Sequence, residues 1–369
     1  MSNSINRNYK VQATIITPLS IGQGNEKDWM PGIDYVVRDN TLYHLDLEKM
    51  YHAGIDISRL TSIFVTGNAR DVITLIDNRL QSVSDFQMEM PVSRTYNPIK
   101  TFLKNNLTGR PVLAGSSLKG AIRSALFNYF RDNEKSNKDV FGDMKAGTDF
   151  MRFIRVSDFD FTGTRLYNTV IYNLRSNGDE WQGGWKHALR NGTDGQFNPV
   201  GFNTVYECLV PGDVAEGKIL MSKVLFSRMG INQPHYQIKQ QLMNDESPNI
   251  ALCDIIKDYT YNYLLKEYDF FEKYQNGANN TNLIMNSITK LTDIINDLEP
   301  DECVIKMSAG AGFHSITGDW QYNDYYDEPG IHNDPRNIRN FGKKKYKSRK
   351  IVQVGKKLSL MGFVKLKIQ

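Results

Sequence analysis

The segment LAGSSLKGAIRSAL at positions 113–126 carries the residue types best suited to hold an anion. Gly115, Ser116 and Ser117 stand at the start of a helical pattern. There the first backbone amides lack partners inside the helix and turn outward. Lys119 and Arg123 follow four residues apart, so both lie on one helix face near that start. Cations at a helix N-terminus oppose the helix dipole, and a phosphate between them would reconcile the two. An ordinary capped helix with exposed charges accounts for the same letters. Two catalytic signatures fail at this place. The stretch 109–115 lacks P-loop spacing and the Gly-Lys-Ser/Thr ending. SSLK at 116–119 has the S-x-x-K form of serine–lysine enzymes, which also need S-D-N and K-T-G; the chain offers SDF at 157–159 and ITG at 316–318.

A second candidate is MSAGAGFHS at 307–315, which follows a strand-like run. Gly310 and Gly312 allow close backbone approach and can present amides to phosphates, while Phe313 can stack on a base. A tight turn between strands is the plainer reading, and the third glycine of a dinucleotide fingerprint is missing. Downstream come tyrosines at 322, 325 and 326 and the basic run KKKYKSRK at 343–350, containing Lys343, Lys344, Lys345 and Lys347. Aromatic residues beside clustered cations suit a nucleic-acid strand, as stacking adds to backbone electrostatics; a solvated loop is the alternative. The histidines form no metal or catalytic constellation, and only His314, beside the glycines, is placed to be tested as a general base.

Charge is segregated along the chain. The net charge is +4, yet positions 336–369 hold 12 Lys or Arg and no Asp or Glu, which leaves −8 for residues 1–335. A mildly acidic body with a strongly basic end creates a local positive field that suits a polyanion better than a small neutral ligand. Cys208, Cys253 and Cys303 are odd in number, far apart and without a C-x-x-C pair, which points to reduced thiols in a cytoplasm, with neither disulfide framework nor zinc site. No run approaches a membrane span and the first residues do not resemble a signal peptide. No cofactor or metal is expected.

The elements that must position these residues follow from periodicity. Strands are expected at 9–17, 153–159, 169–174, 303–307, 351–354 and 357–368, and a hairpin around Asp39 and Asn40. Helical spacing covers 47–87, 118–131 and 235–298, with a break near 277–280. The polar, glycine-rich stretch 176–201 reads as a loop, and 205–210 and 218–225 read as partners around the turn at 211–213. Strands and helices interleave without βαβ spacing, so the expected class is α+β. Two units, 1–220 and 221–369, fit a chain of 369 residues.

Three stretches resemble the RAMP superfamily of CRISPR-associated proteins: the first strand with PLSIGQG at 18–24, AGSSLKGAIR at 114–123, and the late glycine loop with LSLMGFVK at 358–365. Within the superfamily, IDYVV at 33–37, LYHLD at 42–46 and the total length are most similar to the fifth subunit of type III-A Csm effector complexes; a type III-B Cmr subunit is the nearest competitor. The resemblance implies two ferredoxin-like (RRM-related) RAMP domains with helical insertions, one of them at about 235–298. It implies a non-catalytic subunit that binds CRISPR RNA, contacts other RAMP subunits, caps the 3′-end side of the guide and supports its maturation with host nucleases. Carried over by residue, the RNA-binding candidates are Gly22, Gly24, Ser116, Ser117, Lys119, Arg123, Gly310, Gly312 and Phe313; the lysines at 343–347 are added from charge alone. The competing expectation is a metal-independent RAMP endoribonuclease, with His314, Lys306 and Tyr322 as the residues that could activate a ribose 2′-OH.

Overall fold

A computed structural model of the chain describes residues 6–66, 69–93, 95, 97–132, 137–177, 180–186, 193–275, 278–307 and 348–369. Its architecture is α+β, as expected, and every strand pairing in its sheets is antiparallel. The first sheet contains β1 (Arg7–Ile15), β6 (Ile154–Val156), β12 (Val214–Met221), β13 (Glu302–Lys306) and β16 (Phe363–Ile368), in the order β13-β16-β1-β12-β6. The second contains β8 (Arg165–Asn177), β9 (Glu180–Lys186), β10 (Thr193–Asp194), β11 (Asn203–Cys208), β14 (Ser348–Val354) and β15 (Lys357–Ser359), with β11 and β14 flanking β8. A third sheet, β2 (Tyr35–Arg38), β3 (Thr41–Leu45) and β4 (Ser84–Glu89), carries the short helices α1 (Leu47–His52), α2 (Ile57–Thr66) and α3 (Ala69–Ile76). β5 (Val112–Leu113) and β7 (Phe159–Asp160) form a two-stranded ladder.

Two long helices make the core continuous. In α4 (Gly115–Phe130) the residues Leu118, Ala121, Ile122, Ala125, Leu126 and Phe130 recur at helical spacing and bury against the first sheet. In α8 (Pro248–Tyr274) the first half, through Leu252, Cys253 and Ile256, joins that same cluster. Its second half, through Leu264, Phe270 and Phe271, joins α9 (Thr281–Asn296) under the second sheet. One rigid helix thus fixes the two sheets relative to each other. The short helices α5 (Asn137–Phe141), α6 (Lys223–Met229) and α7 (Tyr236–Asn244) close the first core, where Phe127, Phe130, Phe141, Phe150, Phe153 and Phe226 stack edge to face or tilted.

Several expectations hold and others need correcting. Asp39 and Asn40 both take positive φ, 51° and 58°, the geometry of a two-residue hairpin turn. The helical run expected to reach 87 ends earlier, because SDFQME alternates in burial and pairs with β3 as β4. The stretch 176–201, expected as a loop, contains β9 and β10. Gly183 there is a close approach rather than a turn, since a Cβ would lie 1.9 Å from the Tyr274 carbonyl oxygen. Finally, 205–210 and 218–225 do not pair with each other: β11 pairs with β8, and β12 lies between β1 and β6 in the other sheet. Position 220 lies in β12, and the first sheet takes strands from both sides of it.

Candidate nucleic-acid interface

The helix at the first motif begins one turn before its expected start, at Gly115, with Ala114 as its N-cap. Only glycine fits there: a Cβ would meet the carbonyl oxygens of Val156 and Ser157 at 2.4 and 2.5 Å. The first amide is not open, because Gly115 N–H donates to the Asp158 carboxylate at 2.7 Å. Ser116 is exposed and Ser117 half-buried in the first turn. Lys119 and Arg123 do share the polar face, but their situations differ. Arg123 grips Asp149 with two nitrogens, donates to Asn137 Oδ1 at 2.9 Å, and covers the Phe141 ring at 4.7 Å. It is a tie between α4, α5 and the turn at Asp149. Lys119 is half-buried and makes no hydrogen bond or ion pair to any described residue. Burial lowers its pKa, Asp149 pulls the other way, and the positive charges of Arg123 and Arg155 lower it further. The exposed Arg155 thus joins the two expected cations at this face.

The glycines of 18–24 lie on a backbone ladder that leads to the same helix. Ile21 accepts from Leu103 N–H at 2.8 Å, and Leu103 accepts from Val112 N–H at 2.9 Å, two residues before the α4 cap. Gly22 and Gly24 are both exposed, and no atom lies within 4 Å of a Cβ built on Gly22. At the other end of the turn, Gly362 N–H donates to Pro18 O at 2.9 Å while Met307 N–H donates to Gly362 O at 2.7 Å. The first glycine turn, the closing motif and the residue that opens the late glycine loop therefore meet. Gly310, Gly312, Phe313, His314, Tyr322, Lys343, Lys344, Lys345 and Lys347 lie outside the described residues.

Beside this junction, the sheet face shared by β8, β11 and β14 collects cations and aromatic rings that the sequence did not single out together. Tyr167 pairs with Tyr206 across β8 and β11, and Lys350 Nζ is hydrogen-bonded to the Tyr206 hydroxyl and sits 4.4 Å from that ring's centroid. Lys350 has no acidic partner among the described residues; burial and the neighbouring charge of Lys100 push its pKa down to about 8. Lys100, docked beside β11, pairs with Asp28. Lys104 pairs with Glu207 at 2.8 Å over the Trp29 ring. Glu207 is 1% exposed and also accepts from Phe102 N–H at 2.8 Å and Thr164 Oγ1 at 2.6 Å, so it staples the segment to the sheet. Nothing local in the sequence unites positions 100, 206 and 350; an aromatic at 206 in a strand and the last lysine of the basic run were the available signals.

Lys306, proposed from sequence as part of a ribonuclease cluster, is buried in β13: its ammonium donates to Met361 O at 2.9 Å between the Tyr263 and Phe363 rings. No helix among the described residues is long and apolar enough to cross a membrane.

No curated protein sequence matches this chain. The solved structures similar to it include two that cover nearly its full length. A chain of the cryo-EM structure of a Csm–crRNA–target RNA ternary complex of a type III-A CRISPR-Cas system superposes with a TM-score of 0.67 at 17% identity, covering 97% of this chain and 100% of that one. The crystal structure of T. onnurineus Csm5 gives a TM-score of 0.60 at 16% identity, covering 96% of this chain and 99% of the other. The sequence itself matches the family model of the RAMP superfamily over residues 12–355. A match of that extent, on a fold whose motif roots converge as described, makes this chain a member of the RAMP superfamily.

Proposed function

We propose that this chain is a non-catalytic, cytoplasmic CRISPR RNA-binding subunit of a type III-A (Csm) effector complex. In this reading it caps the 3′-end side of the guide, contacts sister RAMP subunits and supports guide maturation with host nucleases. The observation that carries the reading is the meeting of Pro18, Met307 and Gly362 beside the Tyr206–Lys350 face. That junction is itself buried, as is the Tyr206 ring. Near it the exposed Gly22 and Gly24, the half-buried Tyr167 ring and the unneutralised Lys350 supply open backbone, an aromatic ring and charge, the combination that tracks a phosphate backbone while stacking bases. Superfamily membership and the two fold likenesses support the choice of partner. In this reading Gly22 and Gly24 allow the strand to approach, Lys350 supplies charge on the second sheet, and Lys119 with Arg155 supply it at α4 and β6, where Arg123 positions the helix. Gly310, Gly312, Phe313 and the lysines at 343, 344, 345 and 347 complete the proposed contact set.

The test is to tag the protein in its own host, purify it under gentle salt and sequence the RNA that comes with it. Short RNAs containing CRISPR repeat and spacer, accompanied by sister RAMP proteins, are the expected result; protein recovered alone and without RNA would overturn the reading. Neutralising Lys343, Lys344, Lys345 and Lys347 together should flatten the dependence of log affinity on log salt by up to about 3, from roughly 0.7 per phosphate contact on a single strand. An unchanged slope removes these lysines from the interface.

A further inference from the structure

The Tyr167–Tyr206 row does not end in flat surface. Past Tyr167 lies a cleft of about 600 Å³, between β4 of the third sheet and the start of β8. Its size falls within the roughly 300–1,000 Å³ of pockets that take small organic groups. Met88 and Leu166, which pack in one apolar cluster, line it from its two sides. Tyr167 lines it as a half-buried ring whose pKa is raised, first by burial, so the phenol keeps its proton at neutral pH. Arg165 lies on the β8 side; Gln87 and Glu89 project from exposed positions of β4 on the other. Among the described residues Arg165 and Glu89 make no ion pair with each other or with anything else, although both face the same space. An apolar lining, one ring, one cation and one carboxylate held apart are complementary to a nucleotide. The ring stacks on the base, the cation meets the phosphate, and the carboxylate accepts from an amino group on the base edge.

We infer that this cleft takes one unpaired nucleotide of the bound RNA strand and, through Glu89, selects bases with an exocyclic amino group over uracil. The inference rests on the RNA-subunit reading and adds to it a base-selective subsite outside the motif residues. A carboxylate disfavours phosphate and needs a donor; opposite the ring that stacks the base, that donor is the amino group on the base edge.

The test uses the full-length chain with 5′-labelled 12-nucleotide RNAs, oligo-C and oligo-U, followed by fluorescence anisotropy at several salt concentrations. One good base contact is worth about 1–3 kcal/mol, which is roughly a 5- to 150-fold preference. Wild type should therefore bind oligo-C at least roughly fivefold more tightly. Glu89→Gln, a change at an exposed position, should bring the two affinities together while leaving the salt slope in place. In parallel, 5-iodocytidine placed within oligo-C, which keeps the exocyclic amino group, should photo-crosslink to the peptides containing Arg165–Tyr167 or Gln87–Glu89. Equal affinities in wild type, a preference untouched by Glu89→Gln, or crosslinks confined to other peptides would each overturn the subsite while leaving RNA binding intact. No salt-dependent binding to either RNA would instead defeat the RNA-subunit reading itself.

Discussion

At the scale of single residues, the face is controlled by which charges are already spent. Arg123, Lys100 and Lys104 each hold a carboxylate, whereas Lys350 leans on a phenol and Lys119 on nothing described. A cation with its partner supplied gains little from a phosphate, because the new contact must replace an existing one. Lys350 gains the most. Its pKa of about 8 means that a phosphate placed beside it would raise the pKa, and by linkage RNA should bind more weakly as pH rises from 7 to 9, when the free protein loses that proton. Lys350→Met should lower affinity at pH 7 several-fold and abolish most of this pH dependence; the readout is anisotropy at constant ionic strength. A variant that keeps the wild-type pH profile would remove Lys350 from the interface.

At the scale of elements, two glycines separate folding from function. Gly115 is fixed by packing: its missing Cβ admits the Val156 and Ser157 carbonyls, and the neighbouring Asp158 caps the helix from outside it. Gly115→Ala must push α4 away from rigid backbone, so it should cost roughly 2 kcal/mol or more in urea unfolding. Gly22 lacks such neighbours and does not use the left-handed region. Gly22→Ala should leave stability within about 0.5 kcal/mol and yet weaken RNA binding, if RNA backbone is what approaches it. Loss of stability in Gly22→Ala, or unchanged affinity, would contradict that role. The contrast also marks what was legible beforehand. The apolar spacing of α4, the shared face of Lys119 and Arg123 and the Asp39–Asn40 hairpin are local patterns and could be read directly. The choice of β8 rather than β12 as the partner of β11 is a tertiary decision with no local signature. So is the commitment of Arg123 to Asp149, 26 residues away. The meeting of Tyr206 with Lys350, 144 residues apart, escaped for the same reason.

At the scale of the whole molecule, the core stores charge that should appear as an unusual pH response. Lys239 is fully buried; it donates to Val140 O, Pro234 O and Gln233 Oε1 amid the rings of Phe130, Phe141 and Phe150, with Asp149 as the facing acid. Lys306 is buried with Glu267 as its facing acid, and Glu267 is itself bound to Arg349 at 2.6 Å. Burial pushes both lysines down to about 7. Below that pH both states are protonated and the native state carries the desolvation cost. Between about 7 and 10.5 the unfolded chain holds protons that the native chain has released, so stability rises with pH, by about 2 kcal/mol per lysine between pH 7 and 9. An opposite set then takes over. Burial raises the thiol of Cys208, and a hydrogen bond to Cys253 together with burial raises that of Cys303. Burial likewise raises the phenols of Tyr35 and Tyr172, and lifts Tyr206 to about 12. These groups lose protons in the unfolded chain from about pH 9 upward while the native state keeps them, which favours unfolding. Urea unfolding should therefore show stability climbing from pH 7 to a maximum near pH 9 and falling beyond it. Lys239→Met and Lys306→Met should each remove about half of the climb, whatever they do to stability at pH 7, because only the proton linkage is lost in common. A wild-type profile that is flat or declining from pH 7 to 9 would mean that hydrogen bonding to the buried ammonium groups, three acceptors in the case of Lys239, outweighs their desolvation and keeps them charged through the neutral range.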